Sequence, residues 1–78
     1  MTEPNAITVV VRNALEDYFT LLDGEKASGV YSMVLKSVER PMLEIVMEKA
    51  NGKQTLAAEI LGINRNTLRR KLSEYGIL

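Results

Sequence analysis

The chain has 78 residues with ten basic and ten acidic side chains, and it contains neither cysteine nor histidine. This composition excludes disulfides, thiol chemistry and a zinc site, and the length limits the chain to one domain with a modest core. The sequence has no phosphate-binding glycine loop or nucleophile elbow, and no apolar run approaches the ~20 residues that span a membrane. We therefore expect a soluble, intracellular protein that is not an enzyme and uses no cofactor, metal or small-molecule substrate.

The first predicted element is an amphipathic helix. It follows a loose N-terminus at residues 1–6, where Asn5 is a candidate helix cap. Apolar side chains then recur at spacings of three and four residues, which is typical of a helix with one buried face. They are Ile7, Val10, Val11, Ala14, Leu15, Tyr18, Phe19 and Leu22. The helix is predicted to end near Asp23 and Gly24.

A second, longer helix is predicted from a cap at Ser28 to a stop at Asn51 and Gly52. Its apolar stripe comprises Val30, Tyr31, Val34, Leu35, Val38, Met42, Ile45, Val46 and Ala50, which leaves Met33, Leu43 and Met47 off the stripe. Pro41 lies inside this pattern, and because the stripe resumes in phase we expect a kink near residues 38–40, not a break. The two helices carry more apolar surface than one short helix packed against them can cover. A second copy of the chain is the simplest source of the missing cover, which predicts a homodimer.

The last third of the chain predicts a helix-turn-helix. Gly62 tolerates the positive φ of a tight turn, and Ala57 and Ala58 are small enough for two helices to cross closely. Asn64 suits the N-cap of the second helix. The apolar residues predicted to hold the two helices together are Leu61, Ile63, Leu68 and Leu72.

The second helix of this motif carries four cations and no acid between Arg65 and Lys71. Spacings of four residues place Arg65 with Arg69, and Asn66 with Arg70, on one side of the helix. Thr67 and Lys71 are predicted to continue this side. The net charge is +3 from Ala50 onward and −3 before it. The alternative is a helical hairpin whose charged surface only faces solvent. The uneven charge along the chain and the rigid, forked arginine side chains favour double-stranded DNA as the partner.

Together these residues resemble the Fis family, bacterial nucleoid-associated proteins named for the factor for inversion stimulation. The resemblance covers roughly Ile7 to Ile77 and is carried by Asp17–Leu22, Leu35–Glu39, Pro41, Leu43, Gly52–Arg65, Thr67–Leu72, Tyr75 and Gly76. It implies an all-α fold with four helices per chain and a single Fis-type domain over residues 1–78. In that fold, two long helices within residues 7–50 intertwine in a homodimer core, and residues 53–76 form the helix-turn-helix.

The resemblance further implies a cytoplasmic, nucleoid-associated regulator of transcription. Its paired recognition helices would stand closer together than successive major grooves, which are ~34 Å apart on straight B-DNA, so the DNA must bend. Selection of degenerate, A/T-centred sites would then depend largely on indirect readout. RNA polymerase is a candidate second partner.

Carried over by position, the expected DNA-binding residues are Lys53, Gln54, Thr55, Asn64, Arg65, Thr67, Arg69, Arg70 and Lys71. Arg65 is expected to read a base edge, guanine being the base that arginine contacts most often, with Asn64 beside it. The remaining residues are expected to contact phosphates or flanking DNA.

Several positions depart from the family pattern. Lys53 replaces an asparagine that caps the helix in familiar members, and Leu56, Ser73 and Glu74 occupy positions that are basic in them. We therefore expect less DNA wrapping and weaker salt dependence than in a more basic relative. Only six residues precede the first predicted helix, so we also expect no N-terminal β-hairpin arm and no stimulation of invertases.

A function of a different class is also compatible with the sequence. The chain could be a dimerising protein-interaction module, related to the C-terminal domain of NtrC-type activators but without their ATPase. DNA binding would separate the two hypotheses.

Overall fold

A computed structural model describes residues 5–78, so most of the predicted loose N-terminus lies outside the described residues. Within them the chain forms four helices and no strand: α1 (Ala6–Leu22), α2 (Val30–Lys49), α3 (Gln54–Leu61) and α4 (Arg65–Glu74). The predicted all-α class is therefore confirmed. The chain divides into two compact units, one extending to Val30 and the other comprising Tyr31–Leu78.

Helix α1 has the ends that its sequence predicts. Asn5 is the N-cap, and its side-chain oxygen accepts a hydrogen bond from the Thr8 backbone amide at 2.9 Å. The helix stops at Asp23, whose φ of 50° lies in the left-handed region. No residue of α1 is buried, and Ile7 and Phe19 are 67% and 50% exposed. The apolar face of α1 is thus uncovered.

Helix α2 continues through Pro41 without interruption, as predicted. The kink expected near residues 38–40 stays a prediction. The predicted cap at Ser28 is wrong, because the helix begins at Val30 and the residue directly before it is Gly29, with φ of 70°. A serine side chain reaches the first helical amides only from the N-cap position. Ser28 lies one residue too early for that role.

The last three helix ends share one hydrogen-bonding pattern. Asn51, Gly62 and Gly76 have φ of 55°, 72° and 68°, and each follows the last turn of a helix. In each case the next amide donates to a carbonyl five residues earlier, as Ile63 does to Ala58 at 3.1 Å. This is the Schellman arrangement, which satisfies carbonyls left free at a helix end. The predicted stops at residues 51–52 and 62 are confirmed.

The core of the second unit lies between α2, α3 and α4. Its buried residues are Leu43, Ala50, Ala57, Ala58, Leu68 and Leu72, with Val46, Met47, Leu61, Tyr75 and Ile77 packed against them. Leu43 and Met47, which lie off the predicted apolar stripe, belong to this core, because α2 has a second apolar face that covers the helix-turn-helix. Ile63, expected to hold the motif together, is 38% exposed and lies outside this cluster.

Candidate nucleic-acid interface

Helices α3 and α4 meet through small residues, as the sequence predicts. Ala57 is completely buried and Ala58 is 6% exposed, which allows the two helices to approach closely. Gly62 makes the turn, and the Asn64 side chain then caps α4 by accepting from the Asn66 amide at 2.7 Å. These local contacts fix where α4 begins and therefore where Arg65 is placed.

The exposed surface of α4 is cationic. Arg65, Asn66, Arg69 and Arg70 are exposed, whereas Leu68 and Leu72 on the other side are completely buried. Arg70 lies 3.6 Å from Glu74, but both side chains are more than half exposed. Since such exposed pairs contribute roughly 0–1 kcal/mol, Glu74 leaves Arg70 free to bind an anion. We call the four residues at positions 65, 66, 69 and 70 the basic face.

Lys71 and Thr67 do not continue this basic face, contrary to the sequence prediction. Both are half-buried on the side of α4 that turns toward the core. The Lys71 ammonium lies 3.0 Å from Glu39 Oε2, and the side chains of the two residues are only 25% and 16% exposed. The structure therefore pairs Lys71 with α2.

Glu39 and Arg40 of α2 also contact Tyr75, the residue that ends α4. The Tyr75 hydroxyl donates to Glu39 Oε1 at 2.6 Å, and Arg40 donates to the Tyr75 carbonyl at 2.7 Å. The Arg40 guanidinium carbon also lies 5.4 Å from the centre of the Tyr75 ring, within the range of a cation–π contact. Helix α4 is thus attached to α2 at its C-terminal end by polar contacts as well as by the core.

These contacts shift two pKa values in opposite directions. The hydrogen bonds from Tyr75 and then from Lys71 lower the pKa of Glu39, because both stabilise its charged form. The Glu39 carboxylate raises the pKa of Tyr75 to about 12, because the phenol must keep its proton to donate. Sequence reasoning missed Glu39 and Tyr75. The four-residue spacing of Lys71 and Tyr75 was the available signal that they share one side of α4.

The start of α3 provides the other predicted contact residues. Lys53 is the N-cap and makes no hydrogen bond to the helix through its side chain. Lys53 and Thr55 are exposed and Gln54 is half-buried. The structure therefore places a cation beside amides that point out of the helix end.

Among residues 5–78, no helix combines the length and apolar character needed to cross a lipid bilayer.

Two comparisons place the chain among known proteins. Residues 34–75 match the family model for bacterial regulatory proteins of the Fis family. A protein of Ralstonia nicotianae described as a Fis-like DNA-binding protein is 55% identical over 74 residues, which cover 95% of this chain and 96% of that relative. The similarity to that relative thus extends over almost the whole chain. The chain belongs to the Fis family of bacterial regulatory proteins.

Proposed function

We propose that this protein is a homodimeric DNA-binding and DNA-bending regulator of transcription that inserts α4 into the major groove. The observation that carries this proposal is the basic face, which is exposed on a helix whose opposite side is buried against α2 and α3. An exposed cationic helix of ten residues fits the groove, which is ~12 Å wide.

Within the basic face, position along the helix separates base reading from anchoring. In helix-turn-helix proteins the N-terminal residues of the recognition helix contact base edges. Arg65 is the first residue of α4, so it is assigned the base contact, with Asn64 beside it. Arg69 and Arg70 lie further along and are assigned to phosphates. Thr67 and Lys71 are left out of the set because they turn toward the core.

The start of α3 offers a second anchor for the DNA backbone. Free amides at a helix N-terminus attract anions, and the helix dipole adds to this attraction. Lys53, Gln54 and Thr55 lie at this end of α3. We assign them to one phosphate group.

A second copy of the chain is the proposed cover for the apolar side chains that remain exposed. They include Ile7, Val10 and Phe19 on α1, and Tyr31, Met42 and Ile45 on α2. Large exposed apolar patches usually mark an interface, and a two-fold dimer buries the same patch on both subunits. Such a dimer would present two copies of α4 to one DNA duplex. Bound at many degenerate sites, it would reside on the chromosome in the bacterial cytoplasm, with RNA polymerase as a further partner.

An electrophoretic shift series on A/T-centred and random duplexes of equal length tests this function. We expect shifts on both at low salt and tighter binding to the A/T-centred duplex, with bending visible when the site is moved along the fragment. Arg69→Met should weaken both complexes, whereas Lys26→Met, a cation outside the motif, should change neither. A dimer that shifts no duplex at low salt would contradict the proposal and favour a protein-interaction module.

A further inference from the structure

The contacts of Glu39 join the middle of α2 to the last turn of α4. One carboxylate oxygen accepts from the Tyr75 hydroxyl at 2.6 Å, and the other pairs with Lys71 at 3.0 Å. The adjacent Arg40 holds the Tyr75 carbonyl. Two consecutive residues of α2 therefore contact both the side chain and the backbone of the residue that ends α4.

Helix geometry explains why Lys71 takes part in this cluster and Arg70 does not. With about 100° of rotation per residue, Lys71 lies about 60° from the buried Leu68, whereas Arg70 lies about 160° from it. The Lys71 side chain is accordingly 25% exposed and that of Arg70 is 64% exposed. Lys71 points toward α2, and its charge is balanced by Glu39.

We propose that Glu39 is a positioning residue for the recognition helix: it holds Lys71 and Tyr75 and thereby sets the angle at which Arg65 meets the DNA bases. This inference rests on the proposed function, in which α4 reads DNA. Lys71 is then an internal contact of the protein and not a phosphate ligand.

The length of α4 makes its angle matter for base recognition. Arg65 lies ten residues before Tyr75, about 15 Å along the helix axis. A tilt of about 10° at the Tyr75 end would displace Arg65 by about 2–3 Å, close to the length of a hydrogen bond. Base edges are read by such bonds, whereas phosphates along the backbone tolerate displacement better. Loss of the Glu39 contacts should therefore reduce discrimination more than overall affinity.

The test compares the wild-type protein with two variants, each with a matched control. Glu39→Gln keeps an oxygen that can accept from Tyr75 but removes the charge that holds Lys71. Glu48→Gln, at an exposed position of the same helix, is its control. Tyr75→Phe removes one hydroxyl without changing charge, and Ser32→Ala, which removes an exposed hydroxyl of α2, is its control. The measurement is the ratio of affinities for the A/T-centred and random duplexes, together with the salt dependence of each.

We expect Glu39→Gln and Tyr75→Phe to lower the affinity ratio by about three- to tenfold, the fold-change that corresponds to the net contribution of one ordinary intramolecular hydrogen bond. Both controls should keep the wild-type ratio, and the salt dependence should not change in Tyr75→Phe. If the ratio stays constant while only thermal stability falls, Glu39 has a purely structural role and the inference is wrong.

Two further outcomes separate this inference from the proposed function. If Lys71→Met weakens binding to both duplexes equally and makes the salt dependence shallower, Lys71 is a phosphate ligand, which overturns the inference alone. If the wild-type protein itself shows no preference between the duplexes, base reading by α4 fails and the positioning role fails with it.

Discussion

The salt dependence of DNA binding reports the number of cations that contact phosphates, and the structure predicts that number. Within the helix-turn-helix, residues 53–76, three cations per subunit are exposed and not assigned to bases, namely Lys53, Arg69 and Arg70. Lys71 is not counted, because its ion pair with Glu39 is mostly shielded from solvent. Arg70 is counted, because its ion pair with Glu74 is exposed and therefore weak. Six phosphate contacts per dimer give a slope of log affinity against log salt concentration of about −5.

That slope corresponds to about a thousandfold loss of affinity between 50 and 200 mM salt. Arg70→Met should make the slope shallower by about 2, since each dimer loses two contacts, whereas Lys71→Met should leave it unchanged. Fluorescence anisotropy of a labelled duplex across a salt series at constant pH measures both effects. A wild-type slope of about −7, or an equal change of slope in the two variants, would show that Lys71 also neutralises phosphates and would refute the count.

Four further outcomes are expected. Arg65→Ala should cost on the order of 1–3 kcal/mol of binding and flatten sequence preference, whereas equal losses on preferred and random duplexes would make it a phosphate contact. Leu68→Ala, at a completely buried position, should lower the free energy of unfolding by about 2–5 kcal/mol in urea denaturation, and Ile60→Ala, at a position that is 53% exposed, by much less. Because the pKa of Glu39 is lowered on folding from its ordinary value of 4.5, its contribution to stability is complete above that pH and is lost as the pH falls through the lowered value. Denaturation midpoints should therefore fall less steeply with acid in Glu39→Gln. Phe19→Glu should shift the protein toward monomer in sedimentation experiments, and an unchanged dimer would place the interface elsewhere.

The helix ends were predictable because the interactions that define them are local. Asn5 and Asn64 cap the helices that follow them, and Gly62 ends α3, each through bonds within a few residues. Ser28 was wrongly predicted as a cap because α2 begins at Val30, and Gly29, with φ of 70°, separates the serine from the first helical residue.

The two faces of α2 and the pairing of Lys71 could not be predicted in the same way. Periodicity identifies one apolar stripe, but α2 also packs Leu43 and Met47 against α3 and α4, so residues outside the stripe enter the core. Lys71 and Glu39 are separated by 32 positions, and their contact depends on how α4 packs against α2. From the sequence alone, Lys71 is one more cation on a basic helix.

In the proposed dimer, the apolar face of α1 would make DNA occupancy depend on the amount of protein in the cell. For a dimer in equilibrium with monomers, the concentration of dimer rises with the square of the monomer concentration, and stability rises with protein concentration by the same mass action. A site that requires two copies of α4 would stay empty at low abundance and fill over a narrow range as synthesis increases. The exposed side chains of α1 would then set the abundance at which the regulator begins to act.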